Sequence, residues 1–278
     1  MNPLKHVAQL QNSAERCVSP CGRGELQWQH WSNGERTLIL LHGGFGSWNH
    51  WIANIPALRE HFDLWSLDLP GLGASAEIPE PHTVEHIARI ILQGINLHIG
   101  AQAKFSLAGF SFGALVGARL AELAGSRCET LLVCGAAGFG DLHQQVELLR
   151  PPGPDISVDR ARCIHRSNLR TLMFSSNECI DELSMYVHGE NLARARFNSR
   201  KASRTDEFLR ALPGIKARLV SVWGSRDATA GGRAGIEKRF ELIKSEKPNS
   251  EPHIFDGVGH WAMYEAPEDF NRLAIAAL

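Results

Sequence analysis

One stretch constrains this chain more than any other: Gly109-Phe110-Ser111-Phe112-Gly113. An apolar run, residues 104–108, precedes it, and an Ala- and Leu-rich run, residues 114–124, follows it. The first reads as a buried strand and the second as a helix. A serine between them must sit at a strained backbone position that lifts its hydroxyl above the sheet edge. Gly109 and Gly113 lack a Cβ, so strand and helix can close tightly around the turn. The helix start then directs N–H groups and partial positive charge at the space beside Ser111. An ordinary glycine-rich turn would also match these five residues. The flanking strand and helix favour an activatable hydroxyl, so the rest of the chain has to supply a base, an acid and oxyanion donors.

The surrounding sequence alternates strand-like and helix-like segments. Residues 15–19 and 25–31 read as short strands, the second alternating Leu26, Trp28 and His30 with Gln27 and Gln29. A continuous apolar run at 37–41 suits a parallel strand covered on both faces, 62–67 reads as the next strand and 130–134 as another buried one. Between them, 48–61 and 83–99 carry helix-spaced apolar residues. From about 141 to 212 the sequence turns polar and arginine-rich, beginning near Pro-Pro-Gly-Pro at 151–154, with helices expected at 160–175 and 178–199. The alternation resumes with a strand at 218–223, a helix at 232–244, a strand at 252–255 and a last helix from Glu268. This pattern implies an α/β fold: an open, mostly parallel sheet with helices on both faces. It divides as 1–140 and 213–278 for the core and 141–212 for an inserted helical lid.

Composition sets the class. With 278 residues, 44% hydrophobic and 21% charged, the chain is long enough for one large α/β domain. A net charge of −1 gives no electrostatic footprint for nucleic acid or an anionic membrane surface. No apolar run reaches the ~20 residues that span a bilayer, and the first residues show no secretory pattern. Six scattered cysteines lack paired metal-ligand spacing and read as reduced thiols of a cytoplasmic protein. No metal or organic cofactor is expected. The expected partner is a small-molecule substrate, and the sequence leaves homo-oligomerisation open.

In open parallel sheets the functional crevice lies at the carboxyl ends of the strands. His42, Ser111, Asp227 and His260 all fall just after an expected strand. With His42-Gly43-Gly44, Asp68-Leu69-Pro70-Gly71, the 109–113 turn, Gly224-Ser225-Arg226-Asp227 and Gly259-His260-Trp261, the chain resembles the α/β-hydrolase-fold serine hydrolases over essentially its whole length. The order Ser, Asp, His is that of this fold. The resemblance implies Ser111 as nucleophile, His260 as base and Asp227 as the acid that orients it. The oxyanion hole is expected from the N–H of Phe112 and from Gly44 or Phe45. His42 is expected to hold its loop by hydrogen bonds, and Asp68 to form a turn. Serine at the elbow sets the chain apart from epoxide hydrolases and haloalkane dehalogenases, with Asp there, and from dienelactone hydrolases, with Cys.

The segment around 181–200 and the run His260-Trp261-Ala262-Met263-Tyr264-Glu265 are similar to the meta-cleavage product hydrolases, which cut a carbon–carbon bond in dienoic acids from aromatic-ring degradation. Those enzymes usually carry Asn immediately before the nucleophile, where this chain has Phe110. Arg194, Arg196 and Arg200 compete for the role of a carboxylate-gripping lid arginine; Arg196 and Arg200 are carried as substrate contacts with Phe110 and Trp261. With Phe45 and Trp48, these aromatic residues predict an apolar pocket. The expected activity is hydrolysis of a small hydrophobic or aromatic carboxylic ester. Carbon–carbon hydrolysis is the close alternative, and a non-catalytic small-molecule receptor on the same fold is the other.

Overall fold

In the computed structural model, which describes residues 2–149 and 156–278, eight strands form one sheet. They are β1 (Glu15–Cys21), β2 (Gly24–Trp31), β3 (Thr37–Leu41), β4 (Asp63–Leu67), β5 (Phe105–Phe110), β6 (Cys128–Cys134), β7 (Arg218–Gly224) and β8 (Glu251–Phe255). Their order is β1-β2-β4-β3-β5-β6-β7-β8. Only β2 runs against its neighbours; the pairs from β4 to β8 are all parallel.

Side chains alternate between the two faces, as the period of two requires. Ile39, Leu41, Leu107, Leu131 and Val133 face one apolar layer, under the helices Val84–His98 and Phe112–Ala124. Leu38, Leu40, Ala108, Leu132 and Cys134 face the other, with Trp51, Ile55, Trp261 and Phe270. Both layers are buried, so these strands are mostly apolar on both faces, with Ser106 and Thr130 as buried polar exceptions. Thr83 caps its helix by accepting from the His86 N–H, which fixes where the expected 83–99 segment begins.

Two local expectations change, and one element is new. Residues 48–61 are not one helix but a 3₁₀ turn, Trp48–Trp51, and a short helix, Ile55–Leu58. Pro56 cannot donate a backbone bond across the junction, and Asn54 donates its side-chain amide to Met263 O and Asn271 Oδ1. The N-terminal residues form a helix, Pro3–Asn12, started by the Asn2 cap and by Pro3 at the first position. Between β6 and β7 the helices run Val158–Leu172 and Glu182–Arg194, with short ones at Arg200–Ser203 and Glu207–Ala211. A capping box between Asp181 and Ser184 starts the second of these later than expected. The Pro-Pro-Gly-Pro break at 151–154 lies outside the described residues.

Strand order positions the crevice. β3 connects to β4 on one side, and the chain then crosses to β5 on its other side. That reversal leaves a gap between the loops after β3 and β5, the topological switch point where ligands bind in such sheets.

Candidate active site

Ser111 follows β5 directly and has φ 52° and ψ −113°, a left-handed conformation unusual for serine. Its N–H donates to Cys134 O at 2.8 Å, and its carbonyl accepts from the N–H groups of Ala114 and Ala137. The helix beginning at Phe112 therefore leaves the strand at a sharp angle. A Cβ on Gly113 would overlap the carbonyl oxygens of Leu41 and His42, so only glycine lets this helix pass so close to the end of β3.

Two loops complete the group. Asp227 follows β7 and is fully buried; His260 follows β8 and is nearly so. His260 Nδ1 lies 2.7 Å from Asp227 Oδ2, and Nε2 lies 3.0 Å from Ser111 Oγ. A carboxylate only accepts, so Nδ1 carries the proton and Nε2 is left to accept from the serine hydroxyl. The other carboxylate oxygen of Asp227 accepts from Thr229 N at 2.8 Å and Thr229 Oγ1 at 2.7 Å. Burial opposes charge on Asp227, but His260 and the Thr229 hydrogen bonds outweigh it and hold its pKa below the usual range. The ring of Phe110 supports His260, their centroids 5.0 Å apart.

The loop after β3 faces Ser111 from the other side. Phe45 adopts φ 53°, and a Cβ on Gly44 would overlap Ser199 Oγ. Phe112 is the first residue of its helix, where an N–H has no intrahelical acceptor. The backbone at Gly44, Phe45 and Phe112 thus lines one wall of the cleft beside Ser111. His42 braces this loop: its Nδ1 donates to Gly43 O and its Nε2 accepts from Leu69 N, each at 2.8 Å. Burial lowers its pKa to about 4, so it is neutral. Asp68 also braces it, accepting from Trp48 N and Ala74 N at 2.8 Å each, while burial raises its pKa to about 6.

The cleft itself measures about 110 Å³. It adjoins an apolar chamber of about 380 Å³, with which it shares Phe45, Leu148, Leu172, Met173 and Arg200. Leu148, Leu172, Met173, Ser199 and Arg200 come from the segment between β6 and β7, which therefore covers the strand ends.

Several expected substrate contacts lie elsewhere. Trp261 is 1% exposed and its indole N–H donates to His50 O at 3.0 Å. Its ring packs against Tyr264, Phe174 and His50, and Trp261 is not among the residues that line the cleft. Trp48 likewise lines a separate polar cavity. Arg196 spends its guanidinium on the carbonyls of Gly73, Ser75 and Arg194, a clamp on the 68–76 turn rather than a substrate contact. Arg194 pairs with Glu190 at 3.0 Å. Arg200 does reach the cleft, its guanidinium 5.2 Å from the Phe45 ring centroid. Phe110 lines the cleft too. Sequence reasoning missed Arg204 and His143, both on the cleft wall; Arg204 lies one helical turn beyond Arg200, a spacing that could have revealed it.

A 2-hydroxy-6-oxononadienedioate/2-hydroxy-6-oxononatrienedioate hydrolase of Escherichia coli O81 is 27% identical over 263 residues, covering 87% of this chain and 86% of that one. The dihydrolipoyllysine-residue acetyltransferase component of the acetoin cleaving system of Pseudomonas putida is 27% identical over 284 residues, covering 97% and 70%. A carboxylesterase from Bacillus subtilis superposes with a TM-score of 0.72 at 18% identity, covering 99% and 97%, a likeness of fold. The sequence profile of the alpha/beta hydrolase family matches residues 38–273, from the second residue of β3 into the last helix and across every loop that builds the cleft. The chain is an enzyme of the alpha/beta hydrolase family.

Proposed function

We propose that this enzyme is a serine hydrolase of esterase type, acting on a small carboxylic ester with an apolar or aromatic acyl group. One observation carries the reading: an unbroken hydrogen-bond chain from Ser111 Oγ through His260 to buried Asp227, at a strained elbow. In the proposed mechanism Ser111 Oγ attacks the ester carbonyl while its proton passes to His260 Nε2. Asp227 stabilises the imidazolium. The N–H of Phe112 and one from Gly44 or Phe45 hold the oxyanion, and losing such a donor typically costs about 3–4 kcal/mol of barrier. His260 then protonates the departing alcohol, and water repeats the sequence on the acyl-enzyme. The departing oxygen must stay beside His260, so the chamber beyond Phe45 takes the acyl side. Residues 141–212 act as the lid that shapes it. Six unpaired cysteines favour a reducing, cytoplasmic setting.

The test is a fluorophosphonate label together with a panel of p-nitrophenyl esters of increasing acyl length. Labelling and turnover that vanish in Ser111→Ala support the reading. A folded wild-type protein that takes no label and turns over no ester refutes it and favours a receptor.

A second reading, hydrolysis of a carbon–carbon bond in a dienoic acid, draws support from the Escherichia coli relative and from Arg200 and Arg204 in the cleft. Turnover of a meta-cleavage dienoate well above that of any ester would establish it.

A further inference from the structure

Resting on that serine-hydrolase mechanism, we propose that His143 reads the departing group, its imidazole donating a hydrogen bond to an acceptor oxygen carried by the leaving alcohol. His143 lies in the loop after β6 and lines the cleft with Ser111 and His260. The backbone on both sides of it is tied to the loop that carries Asp227. Arg239, 2% exposed, donates to Leu142 O at 2.7 Å and to Thr229 O at 3.2 Å, and Gln144 N donates to Thr229 O at 3.0 Å. Thr229 Oγ1 is in turn 3.3 Å from His260 Nδ1. His143 is thus rooted beside the Asp227 loop that contacts His260.

The leaving group must lie beside His260. The oxygen that departs collects its proton from His260 Nε2, so whatever is attached to it rests against the residues around His260. Among these, the His143 ring makes no hydrogen bond to any described residue and is free to recognise a ligand. Burial, then His260, Arg239 and Arg204, oppose its protonation, with Asp227 favouring it less strongly, so it acts as a neutral imidazole with one N–H to give. Arg204, which lines the same cleft, adds a cationic neighbour that also favours an oxygen-bearing group over plain hydrocarbon.

The experiment compares two acetate esters with the same number of non-hydrogen atoms, 3-acetylphenyl acetate and 3-isopropylphenyl acetate; only the first carries a carbonyl oxygen on its leaving group. The quantity read is the ratio of their kcat/KM values within one preparation, which is independent of the fraction of active protein. The intrinsic reactivity difference of the two esters cancels between variants. In His143→Phe, which keeps a ring and removes both nitrogens, the ratio is expected to fall at least about fivefold below wild type, the scale of one net hydrogen bond. In His143→Gln, which keeps a side-chain N–H, it is expected to stay within about twofold. An equal ratio in wild type and His143→Phe overturns the proposal. His143→Leu gives the same comparison should the Phe variant not fold, and if neither folds, His143 is structural and the proposal falls. Failure of wild type to hydrolyse either ester, with no label on Ser111, instead overturns the serine-hydrolase reading.

Discussion

Lowering the pH from 7 to 5 is expected to destabilise the fold, by an amount set by its buried histidines. His42 and His188 have their pKa values lowered to about 4, chiefly by burial; His50 is pushed well below the ordinary value by burial and by the neighbouring histidines. In the unfolded chain each titrates near 6.5. As the pH falls below that value the unfolded chain takes up protons that the native protein refuses, so stability is lost between about 6.5 and 4. Integrating from pH 7 to 5 gives about 2 kcal/mol for each of His42 and His188. Asp68 works in the opposite sense. Its native pKa of about 6 exceeds the unfolded value, so the folded protein gains a proton first and recovers about 1 kcal/mol over the same interval. The net loss is about 2–3 kcal/mol before His50 adds to it. Urea denaturation at the two pH values measures it, as a drop in unfolding free energy with little change in slope. His188→Leu should remove about 2 kcal/mol of the pH difference. A protein as stable at pH 5 as at pH 7 would refute the assignment of these rings as buried and neutral.

Ser111→Ala and His260→Ala should each abolish ester turnover, and the double variant should be no worse than the singles, because the two residues act as one unit; full additivity in steady-state kinetics would count against the pairing. Ser111→Gly should be more stable than Ser111→Ala by about 1 kcal/mol, since glycine relieves the left-handed strain at φ 52° while raising unfolded-state entropy; thermal or urea unfolding of the two inactive variants decides it. Arg196→Ala should lower stability by about 1–3 kcal/mol by releasing the carbonyls it clamps, with little change in substrate preference. Arg200→Ala should do the reverse, raising KM for acidic dienoates several-fold relative to neutral esters; equal effects on both substrates would remove Arg200 from substrate recognition.

The parallel core was legible because its central strands are covered on both faces and read as short, mostly apolar runs separated by helix-spaced segments. Ser111, Asp227 and His260 stand out by one rule, position just after a strand, and the structure brings all three within hydrogen-bond contact. Side-chain direction in loops follows no such rule. Trp261 follows His260 in sequence yet turns into the core, where its indole N–H finds His50 O. Arg196 and Arg200 differ by one helical turn in number, yet one grips backbone carbonyls and the other reaches the cleft. His143 lies in an aperiodic loop, and what places it, the hold of Arg239 on Leu142 O, joins residues nearly a hundred positions apart. The broken 48–61 helix carried its cue openly in Pro56, but the apolar spacing around it pointed to an unbroken helix.

The far end of the helix Val158–Leu172 is stitched to the loop that carries His260. Trp261 N donates to Met173 O at 2.9 Å, and the Glu265 carboxylate accepts from Ser175 N, Ser175 Oγ and Gly259 N. A Cβ on Gly259 would press on the backbone at 173–175, so the two stretches run in direct contact. This makes the covering segment and the His260 loop a latch and its catch. If the segment lifts at this end to admit a substrate, it drags on the peptide that aims His260, and the imidazole loses its alignment with Ser111. On the proposed mechanism, hydrolytic power is then greatest only when the door is shut, and a substrate too large to let the latch seat would occupy the enzyme without being cut.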